Sequence, residues 1–236
     1  MAFDVYAGTF TRYYTRTWEN VVQRRARIDG IQYKIICAGG DPEPPPPAHE
    51  VRSLVDSWRE GINQGLAPHG LGPIEWSEDD CVPYFTDRPG WQGYSGLLLW
   101  AVYAQLSRSK PPYALPETWV NDPVYQDVLR DEKSIRYQSI LQANLWLPGD
   151  FQYCFKFPGL AGDEESTIAS TGWLLAQLTQ LRAEEPKWTT QSLLQRVRGT
   201  KDDEYALESA AKDGLAIFSD LAQQAVTHRV PIVLSF

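Results

Sequence analysis

The run Trp91-Gln92-Gly93-Tyr94-Ser95-Gly96-Leu97-Leu98-Leu99-Trp100-Ala101-Val102-Tyr103-Ala104-Gln105-Leu106 decides the architecture. As a helix it is apolar nearly all round, with Tyr94, Leu97, Leu98, Trp100, Ala101, Tyr103 and Ala104 facing different directions. A helix of that kind belongs at the centre of a fold. Pro111, Pro112 and Pro116 end it. The aromatics of the Trp91–Tyr94 stretch are expected to enter the core rather than to line a sugar-stacking cleft.

Around this helix the spacing predicts further ones. Over 49–66, Val51, Leu54, Val55, Trp58 and Ile62 recur at helical intervals and bury one face. Thr17 reads as an N-cap for a helix running to Ile28, and Asp29-Gly30 as its left-handed stop. Asp122-Pro123 is an N-cap followed by proline at the first helical position, for a helix to about Asp131. Ser166 is read as starting a helix through Leu181, with a short helix over 190–197 and a long one over 203–227. Alternation predicts short strands near 3–7, 31–37, 145–157 and 231–235. The first two, flanking one helix, suggest a parallel pair. Phe151 to Phe157 alternates over seven residues after the Pro148-Gly149-Asp150 turn, which suggests a hairpin-like pair with 145–147. The prolines at 42–47 form a stiff surface connector that launches the next helix. About 40 residues ahead of it are too few for a separate core. The prediction is one helix-dominated α+β domain spanning 1–236, with a small sheet.

The chain of 236 residues carries 22 Lys+Arg against 30 Asp+Glu, a net charge of −8. That balance argues against a nucleic-acid binder, whose affinity comes from basic residues facing phosphates, and against an anionic membrane surface. The longest apolar run, Leu97 to Ala104, is eight residues, against the roughly 20 a bilayer span needs. With no secretory signal at the start, a cytoplasmic protein is expected. Cys37, Cys81 and Cys154 are odd in number, widely spaced and lack a CxxC, so they are expected to be reduced and buried. His49, His69 and His228 are scattered, and neither a metal nor a cofactor is expected.

No catalytic signature stands out. Gly39-Gly40-Asp41-Pro42 fails the dinucleotide fingerprint because proline replaces the helix entry, and neither a phosphate-binding loop nor a GxSxG elbow is present. Acidic residues cluster at Glu75, Glu78, Asp79 and Asp80, at Asp163–Glu165 and at Asp202–Glu204. Consecutive acids in loops stay solvated, yet an acidic loop-borne face also steers a basic partner. A second candidate contact patch is Arg12, Tyr13 and Tyr14, since Tyr and Arg are enriched at interface hot spots. Its competing reading is packing beneath Trp18.

At Phe3–Tyr6 with Thr11–Tyr14, at Tyr84–Trp91 and at Leu145–Phe151, the chain resembles a family of uncharacterised bacterial cytosolic proteins similar to immunity proteins. Such proteins neutralise antibacterial toxins, including those delivered by contact-dependent or type VI secretion. The resemblance implies a cognate protein toxin, expected to be basic, whose active site this chain would occlude without turnover of its own. The acidic cluster 75–80 and Arg12, Tyr13 and Tyr14 are the expected contact residues. Two other functions remain open at this point: a hydrolase using a carboxylate pair or a His base, which requires a pocket with a desolvated carboxylate, and a scaffolding subunit with an exposed apolar patch.

Overall fold

The computed structural model describes residues 3–32, 44–106, 110–131, 134–160, 162, 164–185, 187–189 and 206–235. Strands β1 (Asp4–Ala7), β2 (Phe85–Asp87), β3 (Leu145–Leu147), β4 (Phe155–Pro158), β5 (Glu165–Ser170) and β6 (Ile232–Ser235) form one mixed sheet. Its order is β2-β1-β6-β3-β5-β4, with β3 and β5 parallel and every other pair antiparallel. The helices are α1 (Phe10–Tyr14), α2 (Val21–Ile28), α3 (Ala48–Leu66), α4 (Gly90–Gln105), α5 (Pro123–Arg130), α6 (Gln138–Leu141), α7 (Thr171–Ala183) and α8 (Leu207–His228). This is the expected α+β architecture.

Side chains alternate across the sheet and define two cores. Val5, Ala7, Trp146, Ala169, Ile232 and Leu234 face α4, α7 and α8. Leu145, Leu147, Ile168 and Val233 face the other way, onto α3 and α1. A period of two supplies both layers from the same strands. The central helix α4 is buried from Leu97 through Val102 and packs on α8. A Cβ on Gly96 would come within 2.7 Å of the Ala210 Cβ, so the missing side chain sets the crossing distance. Tyr94 enters the core as expected, 5.9 Å from Phe218, whereas Trp91 is 46% exposed. Leu54, assigned to the inner face of α3, is also half exposed.

Several expectations need correction. Asn20, not Thr17, caps α2: its side chain accepts from the Gln23 N–H at 2.9 Å, and the Gln23 side chain accepts from the Asn20 N–H at 2.9 Å. That is a capping box, which satisfies two free donors at once. Gly30 stops the helix at φ 68°, as read. The parallel pair between 3–7 and 31–37 does not form, because β2 and β6 occupy both edges of β1 in antiparallel register. Ile31 and Gln32 are exposed and outside any strand, and 33–37 lies outside the described residues.

Residues 165–170 are strand β5 rather than a helix start. The cap is Ser170, whose Oγ accepts from the Trp173 N–H at 3.0 Å and donates to the Phe151 carbonyl at 2.7 Å. Thr167 and Ile168 are β-branched and favour the pleated surface between β3 and β4. Consequently 145–147 and 155–158 do not pair as a hairpin; β5 lies between them. The exposed Pro44–Pro47 segment does launch α3, while 41–43, the helix expected over 190–197 and the first residues of 203–227 lie outside the described residues. Cys154 is half-buried, but Cys81 is exposed, which overturns the expectation of uniformly buried thiols; Cys37 lies outside the described residues. Among the described residues no helix is long and apolar enough to cross a membrane.

Candidate functional site

The two candidate patches, 61 residues or more apart in the chain, meet at the N-terminus of α1. Thr9 caps that helix through the Arg12 N–H at 3.3 Å. The first-turn donors of Phe10 and Thr11 go to the Glu78 carboxylate, at 3.2 and 2.7 Å. The same carboxylate accepts the Trp76 indole N–H at 2.6 Å. Helix N-termini expose unpaired N–H groups, and a carboxylate there gains both the hydrogen bonds and the favourable helix dipole. Glu78 is thus turned inward. The expectation that all four acids of 75–80 stay solvated and available to a partner fails for this residue.

Three arginines clamp the loop. Arg12 donates to the Asp80 carbonyl at 2.5 Å and lies over the Tyr84 ring, 4.9 Å from its centroid. Arg52 donates to the Glu78 carbonyl at 3.3 Å and to the Asp80 carboxylate at 2.6 Å. Arg59 donates to the Trp76 carbonyl at 2.6 Å while covering the Trp76 ring. Asp80 is therefore paired, and Asp79 holds the Ser77 hydroxyl at 2.7 Å. Glu75 and Asp79 are the acids exposed without an arginine partner among the described residues. The fixed loop bears less free charge than its sequence advertises.

Tyr13 and Tyr14 stand on the same helix. Tyr13 stacks on Trp18, with centroids 5.8 Å apart and planes 13° apart, and its carbonyl accepts from the Trp18 indole N–H at 3.3 Å. Packing beneath Trp18 is therefore real. Both tyrosines nonetheless remain half-buried and line a groove of about 410 Å3 between α1 and the ends of β3, β5 and β6, with Phe10, Leu145, Glu164 and Ser166. Burial pushes the Tyr14 phenol up to about 12, helped by neighbouring Tyr13, so it remains a hydrogen-bond donor at neutral pH.

A separate pocket of about 400 Å3 is lined by Asp87 from β2, Asp220 from α8, Arg24 and Tyr84. Burial raises the Asp87 carboxyl above its ordinary range, and the Asp220 charge adds to the shift. Of the other acidic clusters, Glu164 is exposed at the rim of the α1 groove and Glu165 is exposed and pairs with Lys156 at 3.3 Å, while Asp163 and 202–204 lie outside the described residues. Among the described residues no group of His, Cys, Asp and Glu is arranged to hold a metal ion.

Sequence reading missed Trp76, Tyr84, Arg52 and Arg59 as parts of this face. It also missed the Asp4–Arg88 pair at 2.7 Å, in which the Asp4 side chain is 8% exposed. No local signal marks them, since each partner is distant in the chain. Comparison with family models, curated proteins and solved structures finds no match for this chain.

Proposed function

We propose that this chain is a binding protein, an immunity factor that occludes the active site of a cognate, basic antibacterial toxin with the face built by α1 and the 75–80 loop. The observation that carries the reading is the Glu78 bridge. It brings the α1 segment carrying Arg12, Tyr13 and Tyr14 beside the loop end that carries Asp79 and Asp80. Rigid aromatic anchors with charged neighbours make a low-entropy contact surface. The net charge of −8 favours encounter with a cationic partner.

Co-expression with the product of the adjacent gene, followed by pull-down and a toxicity rescue, tests it. Relief of toxicity and a stable complex are expected. The double variant Glu75→Gln, Asp79→Asn should slow association and flatten its salt dependence. Tyr13→Ala with Tyr14→Ala should instead speed dissociation. A neighbour that is harmless, or a toxicity this chain does not relieve, ends the reading.

The Asp87–Asp220 pocket favours a second reading, a hydrolase with a raised carboxyl as general acid. Hydrolysis by the purified protein that disappears in both Asp87→Asn and Asp220→Asn would establish it.

A further inference from the structure

A cavity of about 440 Å3 opens between the first turns of α4 and the 115–119 segment. Its apolar lining is Trp91, Trp119, Leu115 and Pro116, and its polar lining is Gln92, Ser95 and Glu117. Each indole is braced by another ring: Trp91 lies 5.0 Å from Phe3, and Trp119 meets Tyr125 edge-on at 5.0 Å. Ser95 is only 4% exposed, yet its hydroxyl has no hydrogen-bond partner among the described residues. The Gln92 amide and the Glu117 carboxylate likewise make no hydrogen bond or ion pair among the described residues. The Ser95 hydroxyl is thus open to a group seated in the cavity.

We infer that this cavity is a receptor for an arginine side chain presented by a basic polypeptide partner. The inference goes beyond the proposed α1 interface and does not rest on it. Among the described lining residues the one formal charge is negative, from Glu117. Indole faces attract a guanidinium, which can stack on one ring while its fork donates to the carboxylate, the Ser95 hydroxyl and the Gln92 carbonyl oxygen. All three polar groups can accept, and guanidinium offers only donors. A neutral sugar would also stack, but it would desolvate the Glu117 carboxylate without compensating its charge. The braced rings add little ordering cost on binding.

The test is an NMR titration of the full chain, following the indole N–H resonances of Trp91 and Trp119. The probe is acetyl-Gly-Arg-Gly-amide, beside the same peptide with neutral citrulline and beside methyl β-glucoside. Saturable shifts of both indoles by the arginine peptide are expected, at least about tenfold weaker with citrulline and in Glu117→Gln. Glu117 is exposed, so that variant keeps its fold, and Gln92→Ala gives an independent weakening. Equal binding of the citrulline peptide, preferential binding of the glucoside, or no shift at millimolar probe would each overturn the assignment.

Discussion

The Glu78 carboxylate accepts the Thr11 backbone N–H at 2.7 Å across 67 residues of sequence. With the Phe10 N–H and the Trp76 indole on the same group, three donors converge on one side chain. An acid in a cluster that looks like solvated surface thereby becomes the joint between α1 and the 75–80 loop.

Glu78→Ala is expected to cost about 1–3 kcal/mol, because the α1 donors lose their acceptor in a half-buried place. Asp79→Asn, with its carboxylate exposed, should stay within about 0.5 kcal/mol. Urea denaturation of the two variants side by side checks the contrast, and equal midpoints would deny Glu78 its role.

Trp100 is 8% exposed and packs its ring 4.9 Å from Trp188. Trp100→Ala should therefore cost about 3–5 kcal/mol. A thermal melt unchanged within error would contradict the placement of α4 at the centre.

Two glycines should respond oppositely to alanine. At Gly96 the new methyl would meet Ala210 at 2.7 Å, so α4 and α8 must separate, at a cost of about 1–3 kcal/mol. Gly65, in α3, has nothing within 4 Å of a Cβ, and Gly65→Ala should stabilise by about 0.4–1 kcal/mol. Calorimetry of both variants reads the sign directly.

Burial, with Asp220 as a further contributor, raises the Asp87 carboxyl in the folded protein. Such an acid holds its proton more tightly folded than unfolded, so its ionised form opposes folding. The penalty is full above the raised folded value, fades as pH falls through it, and is gone below the ordinary value of 3.8. Asp87→Asn should accordingly be more stable than the parent at neutral pH, with the gain shrinking in acid. Chemical denaturation across that range measures it, and a gain that grows on acidification would refute it.

The thiols should differ in rate. Burial pushes the Cys154 thiol up to about 11, whereas Cys81 is exposed. Thiolate is the reactive form, so iodoacetamide should label Cys81 well before Cys154 in the native protein. Under denaturing, non-reducing conditions all three cysteines should label, and two protected thiols would reveal a bridge.

The elements legible in the sequence are those whose signal is local. The amphipathic spacing of α3, the full apolar circumference of α4, the Asp122 cap with Pro123 and the alternation at β1 and β6 each arise from period and cap chemistry over a few residues. Where two local readings compete, the sequence misleads. Ser166 and Ser170 both offer a hydroxyl for a helix start, and only the gap between β3 and β4, filled by Glu165–Ser170, selects the second. The alternating run from Phe151 to Phe157 likewise pairs only over its last part, because its partner is β5 rather than β3.

The candidate site divides on the same line. Composition and local pattern determined one helix-rich α+β fold with α4 at its heart, and they marked Arg12, Tyr13, Tyr14 and the acids at 75–80 as unusual. Tertiary structure alone decided that α1 and the 78–80 end of the loop lie together, that Glu78 points inward while Asp79 is exposed, and that Arg52 pairs with the Asp80 carboxylate. The reason is physical. Helical and strand periods are written by neighbours a few residues apart, but a carboxylate's partner is whatever donor the folded chain leaves unpaired beside it, and here that donor lies 67 residues away.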